Sequence, residues 1–309
     1  MVAKLRPTLA PSFMPRVAFL GLGAIGAPMA RQLARRYDLA VWNRTASRAV
    51  AFASMHHGAT QVRTPAEAAA GRDFVFTCLP TSVEVEQLLD GPDGLLAGLQ
   101  RGALLIDCTS GDPDGSRRIA KRLAAAGVGF IDAPVSGGVS GAEQGTLTVM
   151  CGGSAADLAK ARPVLEAFGR KIVHCGDVGA GDAVKAVNNA MLAVHIWAAG
   201  EGLAALAKSG VDPKVALDVI NASSGRSNSS ENLFPERVLT RAFPRTFRLA
   251  LLDKDLRIAA DFARTQKVTS PLLQLTSELF RLARVALGEE ADHVEAVKVL
   301  EQWAGTEIK

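Results

Sequence analysis

Lys185 and Asn189 stand four residues apart, with Asn188 between them, in the run GAGDAVKAVNNAML that opens at Gly179. On a helix that spacing puts an ammonium and an amide on one face. Such a pair can move a proton to or from a substrate oxygen, provided that the amine is able to lose its charge near neutral pH. Asp182 reads as the N-cap of the helix. Lys185 would then lie in the first turn, where the positive end of the helix dipole disfavours an ammonium and lowers its pKa from about 10.4. The bland alternative is a solvated lysine on an exposed helix face. A second lysine, Lys254, is flanked by acids in Leu252-Asp253-Lys254-Asp255-Leu256 at the start of a later helix.

A different chemistry is written into Gly21 to Gly26, GLGAIG, which follows the apolar strand RVAFL and precedes the helical pattern APMARQLARR. This is the dinucleotide fingerprint in its required context of strand before and helix after. Gly21 permits the tight turn, Gly23 lets backbone approach a pyrophosphate, and Gly26 lets the helix pack on the strand, with Leu22, Ala24 and Ile25 filling the loop. The pyrophosphate would rest on the helix N-terminus. Where the next strand ends, an acid would grip the ribose of NAD, but the residues are Asn43, Arg44 and Thr45. An arginine with an amide and a hydroxyl suits a 2′-phosphate, so NADP is favoured and NAD is the alternative cofactor. Leu79-Pro80 and Thr109 fall at the carboxyl ends of two further strands, the edge where open sheets of this kind bind ligands. In Asp132-Ala133-Pro134-Val135-Ser136-Gly137-Gly138, small residues leave N–H groups uncovered. Read alone, Ser136, Gly137 and Gly138 make either a nest for a carboxylate or a turn between strands.

The elements that must position these residues follow the rhythm of a doubly wound α/β sheet. Strands are expected at 16–20, 39–42, 74–79, 103–109, 130–133 and 171–175, and helices start at Ser82, Asp112 and Ala155. From Gly179 to Gly210 the chain reads as one long helix whose apolar set is Val184, Val187, Met191, Val194 and Leu203. Beyond it the strand signals stop. The expected organisation is a flexible tail at 1–15, a Rossmann-type dinucleotide domain at 16–178 and an all-helical domain at 179–309, joined by the long helix. Asp212-Pro213 and Ser270-Pro271 start helices, Asn221 to Asn232 reads as a surface loop, and the chain after Ala304 is expected to fray.

Composition narrows the partners. A chain of 309 residues with 48% hydrophobic content can bury two cores, and its +4 net charge is dispersed, without the basic stripe that nucleic-acid binding needs. An anionic small molecule fits that field. Cys78, Cys108, Cys151 and Cys175 are far apart in sequence and read as buried, reduced thiols of a cytoplasmic protein. The five histidines form no metal pattern, so no metal is assigned, and no apolar run reads as the roughly 18 residues a membrane span needs.

Taken together, GLGAIGAPMA at Gly21, DAPVSGGVSGAEQGTLTVM at Asp132, GAGDAVKAVNNAML at Gly179 and DKDL at Asp253 resemble the β-hydroxyacid dehydrogenase family, in that family's order. Its members include 3-hydroxyisobutyrate dehydrogenases and tartronate semialdehyde reductases. The resemblance implies that Lys185 is catalytic, that Asn189 helps to hold substrate, and that Ser136 and Gly137 bind the substrate carboxylate. It further implies that Lys254 reaches the cleft of cofactor and substrate, and that the helical domain builds a homodimer or homotetramer. The implied substrate is a small β-hydroxy acid or semialdehyde. Ile25 departs from the methionine of many relatives, and the segment Arg226-Ser227-Asn228 falls where the family varies. An imine reductase shares the architecture but has other residues in place of the lysine; a catalytically silent dinucleotide-binding module would also lack it.

Overall fold

Five-residue β1 (Arg16–Leu20) is buried from Val17 onward, and its side chains alternate between two cores. Val17 and Phe19 face Met29, Leu33 and Phe76, whereas Ala18 and Leu20 face Val75, Val85 and Leu105. A strand covered on both faces belongs in the middle of a parallel sheet. In the computed structural model, which describes residues 14–309, β1 pairs with β2 (Asp38–Trp42) on one side and β4 (Phe74–Thr77) on the other. The parallel part continues through β3 (Ala59–Gln61), β5 (Leu104–Asp107) and β6 (Gly129–Asp132), in the order β3-β2-β1-β4-β5-β6. The order reverses beside β1, which opens a crevice at the carboxyl ends of β1 and β4. Beyond β6, β8 (Leu147–Gly152) runs antiparallel, carries the two-residue β7 (Val135–Ser136) on one partner register and pairs in parallel with β9 (Gly169–Gly176).

Helices cover both faces: α1 (Gly26–Ala34), α2 (Ala46–Met55), α3 (Pro65–Ala69), α4 (Ser82–Gln87), α5 (Leu95–Gly98), α6 (Pro113–Ala125), α7 (Gly138–Gln144) and α8 (Ala155–Leu165). Then comes the 29-residue α9 (Ala180–Lys208). The remainder is helical: α10 (Pro213–Asn221), a π-helical segment (Ser229–Val238), α11 (Leu249–Thr265), α12 (Pro271–Leu287), a 3-10 turn (His293–Glu295) and α13 (Ala296–Ala304). The expected flexible tail lies, up to residue 13, outside the described residues.

The structure corrects several expectations. The buried face of α9 is made of Ala183, Ala186, Ala190, Ala193, Ile196, Trp197 and Gly200, while Val184 and Met191 are 44% and 53% exposed. Small side chains let α11 and α13 approach the helix axis closely, so the alanines carry most of the packing; of the expected apolar set Leu203 is buried in it, Val187 and Val194 are half-buried, and Val184 and Met191 face outward. That composition also makes α9 the one described helix long and apolar enough to cross a membrane, although it lies between the sheet and the helical core. Part of the polar run after Asn221 is not a loop: Ser229 and Ser230 are buried at the start of the π-helical segment. Ser227 and Ser230 cap each other, with backbone N–H to side-chain oxygen distances of 2.8 and 3.1 Å. Nor does the C-terminus fray. Ile308 is fully buried and its N–H donates to Glu301 Oε1 at 2.8 Å. Cys78 and Cys175 are only partly buried, in contrast to Cys108 and Cys151.

Candidate active site

Asp182 is not the cap of α9. Gly179 occupies that position with φ of +90°, and Asp182 is the third helical residue, fully buried in the first turn, accepting Gly111 N–H at 2.9 Å and the Ser116 hydroxyl at 2.6 Å. Lys185 therefore sits in the second turn, beyond the reach of most of the dipole effect. Its pKa is lowered all the same, by burial above all; Asp255 opposes the shift and Lys254 adds to it. Among the described residues no side chain hydrogen-bonds or ion-pairs with Lys185 Nζ, so its environment favours the neutral amine without neutralising it by a counter-ion.

One turn on, Asn189 is buried, and its Nδ2 donates to Asp255 Oδ2 at 2.6 Å. The other oxygen of Asp255 is 3.1 Å from Lys254 Nζ. Lys254 also donates to the carbonyl of Pro80 at 3.2 Å and to that of Ser110. Its three N–H bonds thus have three acceptors, which strap α11 to the ends of β4 and β5. Asp255, which the sequence placed only as a flanking acid of DKDL, is the residue that joins Lys254, Asn189 and the field at Lys185. The strand ends are fixed in turn. Thr109 Oγ1 accepts Leu79 N–H at 3.0 Å, and Asp107 Oδ1 accepts both Thr109 N–H and the Thr77 hydroxyl, at 3.1 and 2.8 Å.

The crevice beside β1 fits a dinucleotide. Gly21 has φ of +105°, a Cβ on Gly26 would lie 2.0 Å from Gly21 O, and a Cβ on Gly23 would project into open space. The first turn of α1 has neither a side-chain cap nor an acid to compete with a phosphate, although Ala27 N–H already donates to Gly23 O at 3.0 Å and Pro28 carries no N–H, so the phosphate would meet Gly26 N–H and the glycine-loop backbone. Asn43 does not face solvent alone: its Oδ1 accepts Leu22 N–H at 2.9 Å and so holds the glycine loop. Arg44 and Thr45 are exposed beside it, at an α2 N-terminus that again lacks a side-chain cap and an acid. Arg48, four residues after Arg44 and also exposed, completes a basic pair that sequence reading did not single out.

Ser136 is partly buried on β7, and Gly137 and Gly138 follow with φ of +132° and +65°, both in the region that side chains avoid. Gly137 caps α7 without a side chain, leaving first-turn N–H groups uncovered. The structure therefore brings Asn189, Asp255, Lys254 and Pro80 into one bonded network with Lys185 in the field of its two charged members, ties Leu79 to Thr109, and ties Leu22 to Asn43. Ser136 to Gly138 and Arg44-Thr45 occupy separate strand ends. Desolvation pushes the thiols of Cys78, although its surface is only partly covered, and of Cys151 up to about 12, away from the reactive thiolate.

Comparison with known proteins agrees with this fold. Residues 16–176 match the NAD binding domain of 6-phosphogluconate dehydrogenase, and residues 179–300 match the NAD-binding domain of NADP-dependent 3-hydroxyisobutyrate dehydrogenase. The chain is 36% identical to 2-(hydroxymethyl)glutarate dehydrogenase of Eubacterium barkeri, over 95% of this chain and 97% of that one. It is 37% identical to 3-hydroxyisobutyrate dehydrogenase of Pseudomonas aeruginosa, over 91% and 95% of the two chains. A solved structure of Mycobacterium tuberculosis 3-hydroxyisobutyrate dehydrogenase with L-serine superposes with a TM-score of 0.86 at 32% identity, covering 93% of this chain and 99% of that one. The chain belongs to the β-hydroxyacid dehydrogenase family. By class it is an NAD(P)-dependent oxidoreductase of the 3-hydroxyacid dehydrogenase type.

Proposed function

We propose that the enzyme interconverts a small β-hydroxy acid and the corresponding semialdehyde or ketone, with NADP preferred over NAD and Lys185 as general acid and base. The observation that carries this reading is Lys185 itself: a partly buried amine with a lowered pKa and no direct ion pair among the described residues, on the same helix face as Asn189. A bound nicotinamide supplies the hydride acceptor or donor. In oxidation, neutral Lys185 takes the substrate hydroxyl proton; in reduction, its ammonium donates a proton to the developing alkoxide. Asn189 Nδ2 is committed to Asp255, and Oδ1 accepts from Asn188 at 3.2 Å, so one lone pair of Oδ1 remains to orient the hydroxyl. The Ser136 hydroxyl and the N–H groups of Gly137 and Gly138 hold the carboxylate, and the fixed distance from carboxylate to hydroxyl selects β-hydroxy acids.

Initial rates over β-hydroxy acids, short semialdehydes, uncharged alcohols and cyclic imines, each with both cofactors, test the reading. Turnover confined to substrates with a carboxylate, and faster with NADP, is the expected result. Imine reduction without hydroxy-acid turnover, or equal rates for an acid and the alcohol lacking its carboxylate, would overturn it.

A further inference from the structure

We infer that Asp132 is a positioning residue for Lys185: it is the cap of α9, supplied from the end of β6 rather than by the helix itself. The inference rests on the reading of Lys185 given above. A helix N-terminus presents free N–H groups, and a side chain at the cap position normally accepts one from the third helical residue. Gly179 has no side chain to do so. Asp132, fully buried, takes over that role with both oxygens: Oδ1 accepts Gly179 N–H at 2.7 Å and Oδ2 accepts the N–H of Asp182, the third helical residue, at 3.0 Å. An anion at this end is also favoured by the dipole of the helix.

The surrounding sequence keeps the carboxylate in reach. A Cβ on Gly152 would lie 2.5 Å from Asp132 Oδ1, and one on Gly181 would lie 2.8 Å from Oδ2 and 2.3 Å from Met150 O. Both neighbours must be bare for helix and strand to meet. A second pin acts on the same turn, because the Asp182 carboxylate holds Gly111 N–H and the Ser116 hydroxyl. Gly111 follows Ser110, whose carbonyl accepts from Lys254. The first turn of α9 is thus fastened to the ends of two adjacent strands. Lys185 lies three residues beyond Asp182, about 4.5 Å along the axis. A shift of this turn moves the backbone from which the Lys185 ammonium projects, and a displacement of about 1 Å at a proton-transfer group can cost roughly 10²-fold in rate. The glycine loop that binds the dinucleotide is anchored separately, through Asn43.

The test compares wild type, Asp132→Asn and Gly152→Ala. The first keeps size but turns an NH₂ group toward one of the two helix N–H groups; the second presses a methyl on Oδ1, and its readouts decide should the first fail to fold. Hydrogen exchange is followed in peptides covering residues 179–189 and 21–33, together with cofactor Kd and kcat. Exchange at least tenfold faster in 179–189 alone, a 10- to 100-fold fall in kcat and a cofactor Kd within twofold of wild type are expected. Unchanged exchange, or fast exchange with full kcat, would overturn the proposal. Lys185→Arg, assayed alongside, separates the two claims: near-wild-type turnover there, beside slow Asp132→Asn, overturns the lysine assignment and with it the statement that Asp132 acts through Lys185.

Discussion

Lys185 owes its lowered pKa to burial, against which Asp255 works and to which Lys254 adds, and not to the first-turn dipole that its sequence position suggests. The distinction matters for tuning, because Asp255 at once orients Asn189 and keeps the amine from losing its proton too readily. Asp107, under the strand ends, shows the opposite side of burial. Its Oδ2 has no hydrogen-bond partner among the described residues, and desolvation raises its pKa to about 6 despite hydrogen bonds from Thr109 and Thr77. A carboxyl whose folded pKa lies above its unfolded value stabilises the fold through its proton. That contribution is complete below about pH 4 and is lost as pH rises through 6, by roughly 3 kcal/mol in all. Asp107→Asn should therefore flatten the decline in unfolding free energy between pH 4 and 7, as measured by denaturant titration. An unchanged profile would mean that Asp107 ionises at an ordinary pKa.

At the scale of elements, the uncapped N-terminus of α2 is where cofactor choice is expected to reside. Arg44 just before the N-cap Thr45 and Arg48 in the first turn of α2 are both exposed, and only NADP offers them a 2′-phosphate. Either arginine replaced by alanine should raise the Kd for NADP at least tenfold and the Kd for NAD by less than twofold, by fluorescence titration; equal losses for both cofactors would move the phosphate elsewhere. Arg44 draws attention in the sequence because it stands where an acid is expected. Arg48 does not, since helical register decides which residue shares its edge. Motifs fixed by backbone geometry, such as the glycines of GLGAIG, could be read directly, as could helices that open with proline after Asp212 and Ser270. The packed face of α9 could be read only in part: apolarity found Leu203 but pointed also to Val184 and Met191, whereas close helix approach selects alanines. Long-range partners were invisible. Nothing local distinguishes Asp182 as a buried tie to Gly111 from Asp182 as a cap, and nothing around Ile308 announces that Glu301 accepts its N–H.

For the whole molecule, α9 belongs to both halves: its first turn is fastened to β6 and the β5–α6 loop, and its alanine face forms part of the helical core. Lys254 adds a second crossing, from α11 to the carbonyls of Pro80 and Ser110. With both ties the lysine–amide face of α9 is held against the strand ends that border the dinucleotide crevice. Proton transfer by Lys185 is the central claim, and the rate of β-hydroxy acid oxidation against pH, for wild type and Lys185→Arg, tests it most directly. Arginine keeps the charge but cannot act as a base in this range. Wild-type kcat should rise with pH through an apparent pKa below that of an ordinary lysine, because only the neutral amine accepts the proton. Lys185→Arg should bind cofactor normally, lose that rise and turn over about 10² to 10⁴ times more slowly. Near-normal turnover with the same pH profile would contradict the account and place the base elsewhere.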